Sequence, residues 1–271
     1  MVMVRRMLEY RGTGDRVTRI LGLVTLVLVA VTAWLGLVVS PPDKVQGQLV
    51  RLIYVHPAAA TACYVGFGLC AFASLAYLWP RTRSRRWDRL AAASAEIGVV
   101  FCILTLVTGS IWGRPAWGVW WTWDARLTLT ALLLAVFLGY LALRRTGGDP
   151  DSRAKRCAVV AVVCALLVPV DHEATTWWQT LHQGNTILRP NPLIHGWQLL
   201  TMLISFVTYG FLFAWLLVHR YRVEVLEDRF EDEGYEVAIA ERRAEGGVVT
   251  IGPSPVLSES LSVSTQKAGQ S

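Results

Sequence analysis

The chain has 271 residues, is 54% hydrophobic and only 17% charged, and carries a formal net charge of +6. Soluble globular domains run nearer about 45–50% apolar and about 25% charged, so this balance excludes an ordinary soluble enzyme and points to a polytopic membrane protein. The basic residues stand in short segments beside apolar runs, where they act as topology signals rather than as a nucleic-acid footprint.

Residues 1–19 form a polar arm with Arg5, Arg6, Arg11, Arg16 and Arg19. Residues 20–39 follow without a charge and are long enough to cross a bilayer as a helix. The run is too long for a signal-peptide core, so an uncleaved first span is expected. A loop over 40–55 leads to a second charge-free run, 57–79, with His56 at its entrance. The next loop is basic, and 90–112 is the third span, carrying Glu96 near its basic end, where the acid is expected to snorkel. Residues 127–143 form the fourth span and 157–170 a short fifth, with Lys155 and Arg156 able to reach the interface. A polar stretch, 171–196, precedes the sixth span at 197–218. Beyond it, 219–245 reads as a charged cytoplasmic helix and 246–271 as a disordered tail.

The N-terminal arm and the loops after spans two and four hold five Lys/Arg each, against Lys44 and Arg51, Arg114 and Arg126, and Arg189 in the three opposite loops. By the positive-inside rule both termini are cytoplasmic. The expectation is therefore an all-α membrane protein, a six-transmembrane-helix bundle, whose chemically unusual loops all face outward.

Three of those loops are unusual. Trp112–Asp124 reads WGRPAWGVWWTWD, with Trp112, Trp117, Trp120, Trp121 and Trp123 among its 13 residues. Two glycines and a proline make a long regular helix unfavourable there. Such a surface suits a large planar apolar ligand, although an interfacial aromatic belt has the same composition. Four of the five histidines, His56, His172, His182 and His195, also fall on the outer side, and His219 flanks the inner end of span six. The histidines lack the close paired spacing of a zinc site. A haem, by contrast, needs axial nitrogens, an apolar slot and cationic partners for its two propionates. The five cysteines, Cys63, Cys70, Cys102, Cys157 and Cys164, sit in apolar runs without a C-x-x-C pair, which argues against disulfides and covalent haem attachment.

The run GSIWGRPAWGVWWTWDARLT (109–128) resembles the tryptophan-rich signature of bacterial cytochrome c biogenesis proteins that handle haem. A second run, WWQTLHQGNT (177–186), is similar to the WW-x-x-LHQG-x-T element of one branch, the CcmC or haem exporter protein C family. The resemblance covers roughly residues 20–220 and implies that this region is one haem-handling domain. It implies His56 and His182 as axial ligands of a non-covalent b-type haem. It also implies Trp112, Trp117, Trp120, Trp121, Trp123 and Asp124 as the haem-presenting platform, and Arg126 is expected to pair with Asp124 or with a propionate. Implied partners are a haem chaperone, an ABC-type transporter pair and a small single-span helper. The implied place is the bacterial cytoplasmic membrane, with the haem site on the outer side. Around the first ligand the family's usual Y-x-H-V-P-A-A-x-W reads YVHPAAATA, with the histidine retained. No nucleophile–base pair or acidic dyad stands out, so a transfer protein rather than an enzyme is expected. The alternatives are a membrane cytochrome b carrying electrons, which would place histidine pairs mid-span, and a carrier moving haem across the bilayer, which would need a polar mid-membrane stripe.

Overall fold

A computed structural model describes residues 15–182, 184 and 194–246; the basic arm up to residue 14, Arg189 and the tail from 247 lie outside the described residues. Among the described residues the fold is all-α, with six helices long and apolar enough to cross a membrane. In chain order these are α1 (Arg16–Trp34, extended by a π-helical turn at Leu35–Val39), α2 (His56–Leu78), α3 (Arg85–Trp117), α4 (Ala125–Arg144), a fifth span made of α5 (Pro150–Ala165) and α6 (Leu167–Trp177), and α7 (Gly196–Gly246). A 3₁₀ helix, Gln48–Tyr54, leads into α2 within the segment expected to be a loop. Contacts divide the chain into two units, Met1–Val225 and Leu226–Ser271, and α7 runs from the sixth span into the second of them.

Two expectations about local structure are corrected. Helix α3 continues into the tryptophan segment as far as Trp117, despite Gly113 and Pro115. Pro115 stands in the last turn, where it removes one ladder bond but disturbs little downstream helix. Gly118, at φ 80°, then ends the helix in the left-handed conformation, its N–H donating to the Arg114 carbonyl at 3.0 Å. The Arg114 guanidinium donates to the Gly118 carbonyl at 2.7 Å. The fifth span, in turn, does not stop before Asp171 but runs on through Trp177. Pro169 has no N–H for the Ala165 carbonyl, which accounts for the break between α5 and α6 rather than an end to the span. Asp171 remains inside the helix because its carboxylate has partners within the bundle.

The core lies between α2, α3, α4, α5 and the membrane part of α7, centred on Phe67 and Phe137, whose rings stack at 3.7 Å. Helices α2 and α3 pass close together at Gly66 and Gly98, where a Cβ on Gly66 would stand 2.8 Å from the Gly98 Cα. Ala59, Ala62, Cys63, Cys70 and Ala73 continue that small-residue face, so the buried cysteines serve close helix packing. Because backbone cannot move aside as a side chain can, Gly66→Val should cost about 1–3 kcal/mol by overpacking. Gly68, with open space around its Cα, is the control: Gly68→Ala should leave the melting temperature in detergent unchanged while Gly66→Val lowers it.

At the end of the bundle that carries the basic loops, acids and arginines are paired. Arg144 at the end of α4 holds Asp88 of α3 through two bonds of 2.8 and 3.0 Å. Arg220 pairs with Glu96 and, at 2.7 Å, with Glu224. Glu96 is thus an ion-pair partner between spans three and six rather than a freely snorkelling acid.

Candidate functional site

The opposite end of the bundle gathers the unusual residues. His56 is the first residue of α2 and Pro57 the second, a position where the missing proline N–H costs no ladder bond. The His56 Nδ1 lies 3.1 Å from the Thr105 carbonyl and 3.2 Å from the Thr108 hydroxyl. A carbonyl only accepts, so Nδ1 carries the proton and Nε2 keeps a lone pair. Histidines that bind metals are oriented in this way, with the second ring nitrogen donating to a backbone carbonyl. Gly109 makes room for this ring, since a Cβ there would stand 2.9 Å from His56 Cε1.

His182 reaches the same place from the segment after α6. Asp124 caps α4, accepting from the Leu127 N–H at 2.8 Å, and its second oxygen accepts from the Leu181 N–H at 3.0 Å. One carboxylate therefore ties the start of the fourth span to the segment carrying His182, whose Nδ1 stands 4.0 Å away. That Nδ1 is buried without a hydrogen-bond partner among the described residues. Burial, with further contributions from Arg126 and His56 and against that of Asp124, pushes the His182 pKa down to about 4. The ring is neutral at pH 7, as a metal ligand must be. Because the folded value lies below the usual 6.5, this group favours the folded state above about pH 6.5, and that contribution is lost as pH falls towards 4. In ligand-free protein, the His182 ring resonances should titrate with a midpoint near 4 in NMR spectra. A midpoint near 6.5 would show the ring to be solvated.

The two imidazole rings line the same narrow cleft, centroids 6.5 Å apart and planes inclined by 29°. Imidazole nitrogen binds a first-row metal at about 2 Å, and the ring centre lies roughly 1 Å further back, so two rings sharing one metal stand roughly 6 Å apart. The separation fits one metal ion held between the rings. Among the described residues no cluster of three or more His, Cys, Asp or Glu could hold a bare metal ion. Two imidazoles at this separation suit a metal whose other ligands come with it, as in a porphyrin.

The cleft measures about 540 Å³, counting space open to solvent, and its walls include Trp117, Trp121, Arg126, Tyr64 and Leu106. Trp117 packs edge-on against His182 at 5.0 Å, a contact that Gly113 permits because any Cβ there would meet the Trp117 ring at 2.8 Å. Trp112 stands edge-on behind His56 at 5.9 Å, and its indole N–H donates to Gln46 at 2.7 Å. Trp121 contacts Trp123 at 5.5 Å, but Trp123 and Trp120 are 81% and 58% exposed and lie outside the cleft wall. Of the two partners expected for Arg126, Asp124 is engaged elsewhere. Arg126 instead donates to the His172 carbonyl at 2.9 Å and the Tyr64 hydroxyl at 3.2 Å. His172 and His195 are not cleft-lining residues.

A family model described as CcmC, haem exporter protein C, matches residues 6–235. The chain belongs to the CcmC family. It is 35% identical over 222 residues to the haem exporter protein C of Haemophilus influenzae, covering 81% of this chain and 89% of that protein. It is 35% identical to the protein of the same name from Bradyrhizobium diazoefficiens, covering 79% and 81% of the two chains. The corresponding figures for Rhodobacter capsulatus are 36% identity with 72% and 81% covered. Membership in the CcmC family accounts for the multi-pass membrane architecture and assigns the chain to haem handling in cytochrome c biogenesis.

Sequence reasoning missed several residues of the site. Tyr64, Thr130 and Asp171 lie inside apolar runs or at their edges, and only the polarity of Asp171 within an otherwise span-like stretch signals them. Thr105, Thr108, Gly109 and Gln46 support the histidine and tryptophan rings, and no spacing in the sequence marks them.

Proposed function

We propose that this CcmC-family chain holds a non-covalent b-type haem between His56 and His182 at the outer face of the bacterial cytoplasmic membrane and passes it to a haem chaperone for cytochrome c maturation. The observation that carries the reading is the pair of imidazoles 6.5 Å apart across a tryptophan-walled cleft. The distribution of Lys and Arg supports an extracytoplasmic cleft and cytoplasmic termini. The partners of this reading are the chaperone, an ABC-type transporter pair and a small single-span helper. The residues of the chain bind, orient and release: His56 and His182 would hold the iron, Trp117 and Trp121 would give the ring an apolar wall, and Arg126 would offer cationic donors to a propionate. Exposed Trp123, touching Trp121, gives an approaching chaperone an aromatic surface beside the cleft.

The chemistry is ligand exchange rather than turnover. His56 stands at the start of a span and His182 beyond the end of one, so the pair suits handover at a surface better than electron transfer through the bilayer. The test is to mix the haem-loaded protein, purified in detergent, with apo-chaperone and then separate the two. Haem should move to the chaperone. Full retention on this protein, with the transporter pair and helper also present, would contradict the transfer reading.

A further inference from the structure

Behind the cleft wall lies a carboxylate that neither histidine touches. Asp171, in α6, is fully buried. The Tyr64 hydroxyl donates to its Oδ2 at 2.9 Å, and the Thr130 hydroxyl lies 3.1 and 3.2 Å from its two oxygens. Thr130 also stands 2.9 Å from the Arg126 carbonyl, so its single proton is shared between these acceptors. The Arg126 guanidinium completes the group, with Nε 4.0 Å from Asp171 Oδ1 and Nη2 donating to the Tyr64 hydroxyl at 3.2 Å. Arg126, Tyr64 and Thr130 line the cleft, and Asp171 does not.

A buried carboxylate is costly unless its lone pairs and charge are met, and here α2 supplies Tyr64 and α4 supplies Thr130 and Arg126 to meet them. The arrangement is directional: Arg126 donates to Tyr64, and Tyr64 donates to Asp171. Tyr64 can present an oxygen lone pair to Arg126 because its own proton is committed to Asp171. With the His172 carbonyl holding Nη1, the guanidinium is oriented from two sides. Arginine has five N–H donors in a planar fork. Among the described residues these two bonds take one N–H on each terminal nitrogen, and the second N–H of each can meet one oxygen of a carboxylate.

We propose that Asp171 is a positioning residue: through Tyr64 it holds Arg126 in a preset orientation, so that the cleft recognises a carboxylate group on its cargo. The inference rests on the reading of the cleft as a haem site and deepens it by naming the group that is recognised. Bis-imidazole ligation reads only the iron and would accept any iron porphyrin. The Arg126–Tyr64–Asp171 chain adds selectivity for a porphyrin with free carboxylates, and it fixes which edge of the ring faces α2, α4 and α6.

The experiment is a titration of the full-length protein in detergent with haem and with haem dimethyl ester, whose carboxylates are blocked. Wild type, Asp171→Asn and Tyr64→Phe are compared. A charge-assisted carboxylate contact is worth about tenfold in affinity, so wild type should prefer haem over the ester by about that factor. Both variants should lose most of that preference by weakening haem binding while leaving ester binding unchanged. Tyr64→Phe removes a single hydroxyl and carries the test should Asp171→Asn fail to fold. Equal weakening of haem and ester would assign Asp171 a purely structural role and overturn the proposal. Equal affinity of wild type for haem and ester would overturn it alone, whereas a wild type that binds neither would overturn the haem reading as well.

Discussion

Purified His56→Ala and His182→Ala proteins should each lose most of the haem that wild type retains, and the residue should change from a six-coordinate to a five-coordinate spectrum. The expectation follows from the shared-metal separation of the two rings and from the orientation of His56 by Thr105. Loss of a group that merely orients a metal ligand costs about 10- to 100-fold in affinity, and loss of the ligand itself should exceed that. Each substitution opens a space the size of an imidazole, so added imidazole should restore the six-coordinate spectrum in both variants. An Ala at His195, which does not line the cleft, should leave haem content at the wild-type level. Haem unaffected by either cleft substitution would remove both residues as ligands.

Asp124→Ala should combine two losses that Asp124→Asn separates. The carboxylate caps α4 at Leu127 and also anchors the Leu181 N–H, one residue before His182, the proposed iron ligand. Removing an N-cap costs about 1 kcal/mol of stability. Releasing the His182 segment should lower haem affinity by about 10- to 100-fold, the range for groups that orient a metal ligand. Asparagine retains an acceptor for the cap but has only one carbonyl oxygen to divide between Leu127 and Leu181. Asp124→Asn should therefore keep nearly all of the wild-type melting temperature while still weakening haem binding. The pair of measurements, thermal melting and haem titration, tells these roles apart. If Asp124→Ala binds haem as wild type does, the link from α4 to His182 has no bearing on the site.

Architecture was legible in the sequence because a bilayer imposes its own period: charge-free runs of sufficient length stand out whatever they pack against. Boundaries were less legible wherever a polar or helix-breaking residue had a tertiary partner. Asp171 reads as the end of a span because an unpaired carboxylate would end one, and only the fold brings Tyr64 and Thr130 to it. Pro115 reads as a breaker, yet it falls in the last turn before Gly118, where breaking has little left to interrupt. For the site, residue types singled out for their chemistry, His56, His182, Trp117, Trp121 and Arg126, line one cleft. The tryptophans divide by role in a way composition could not reveal: Trp117 and Trp121 line the cleft, Trp112 backs His56, and Trp120 and Trp123 face outward. The supporting residues Thr105, Gly109 and Gln46 are common types in common surroundings, so only their distances distinguish them.

The central claim, that His56 and His182 grip the same iron, is tested most directly by near-infrared magnetic circular dichroism of the oxidised, haem-loaded wild-type protein. The charge-transfer band in that region reports both axial ligands at once. Wild type should show the band of a bis-imidazole haem, lost in either histidine variant. A band from any other ligand pair in wild type would contradict that claim.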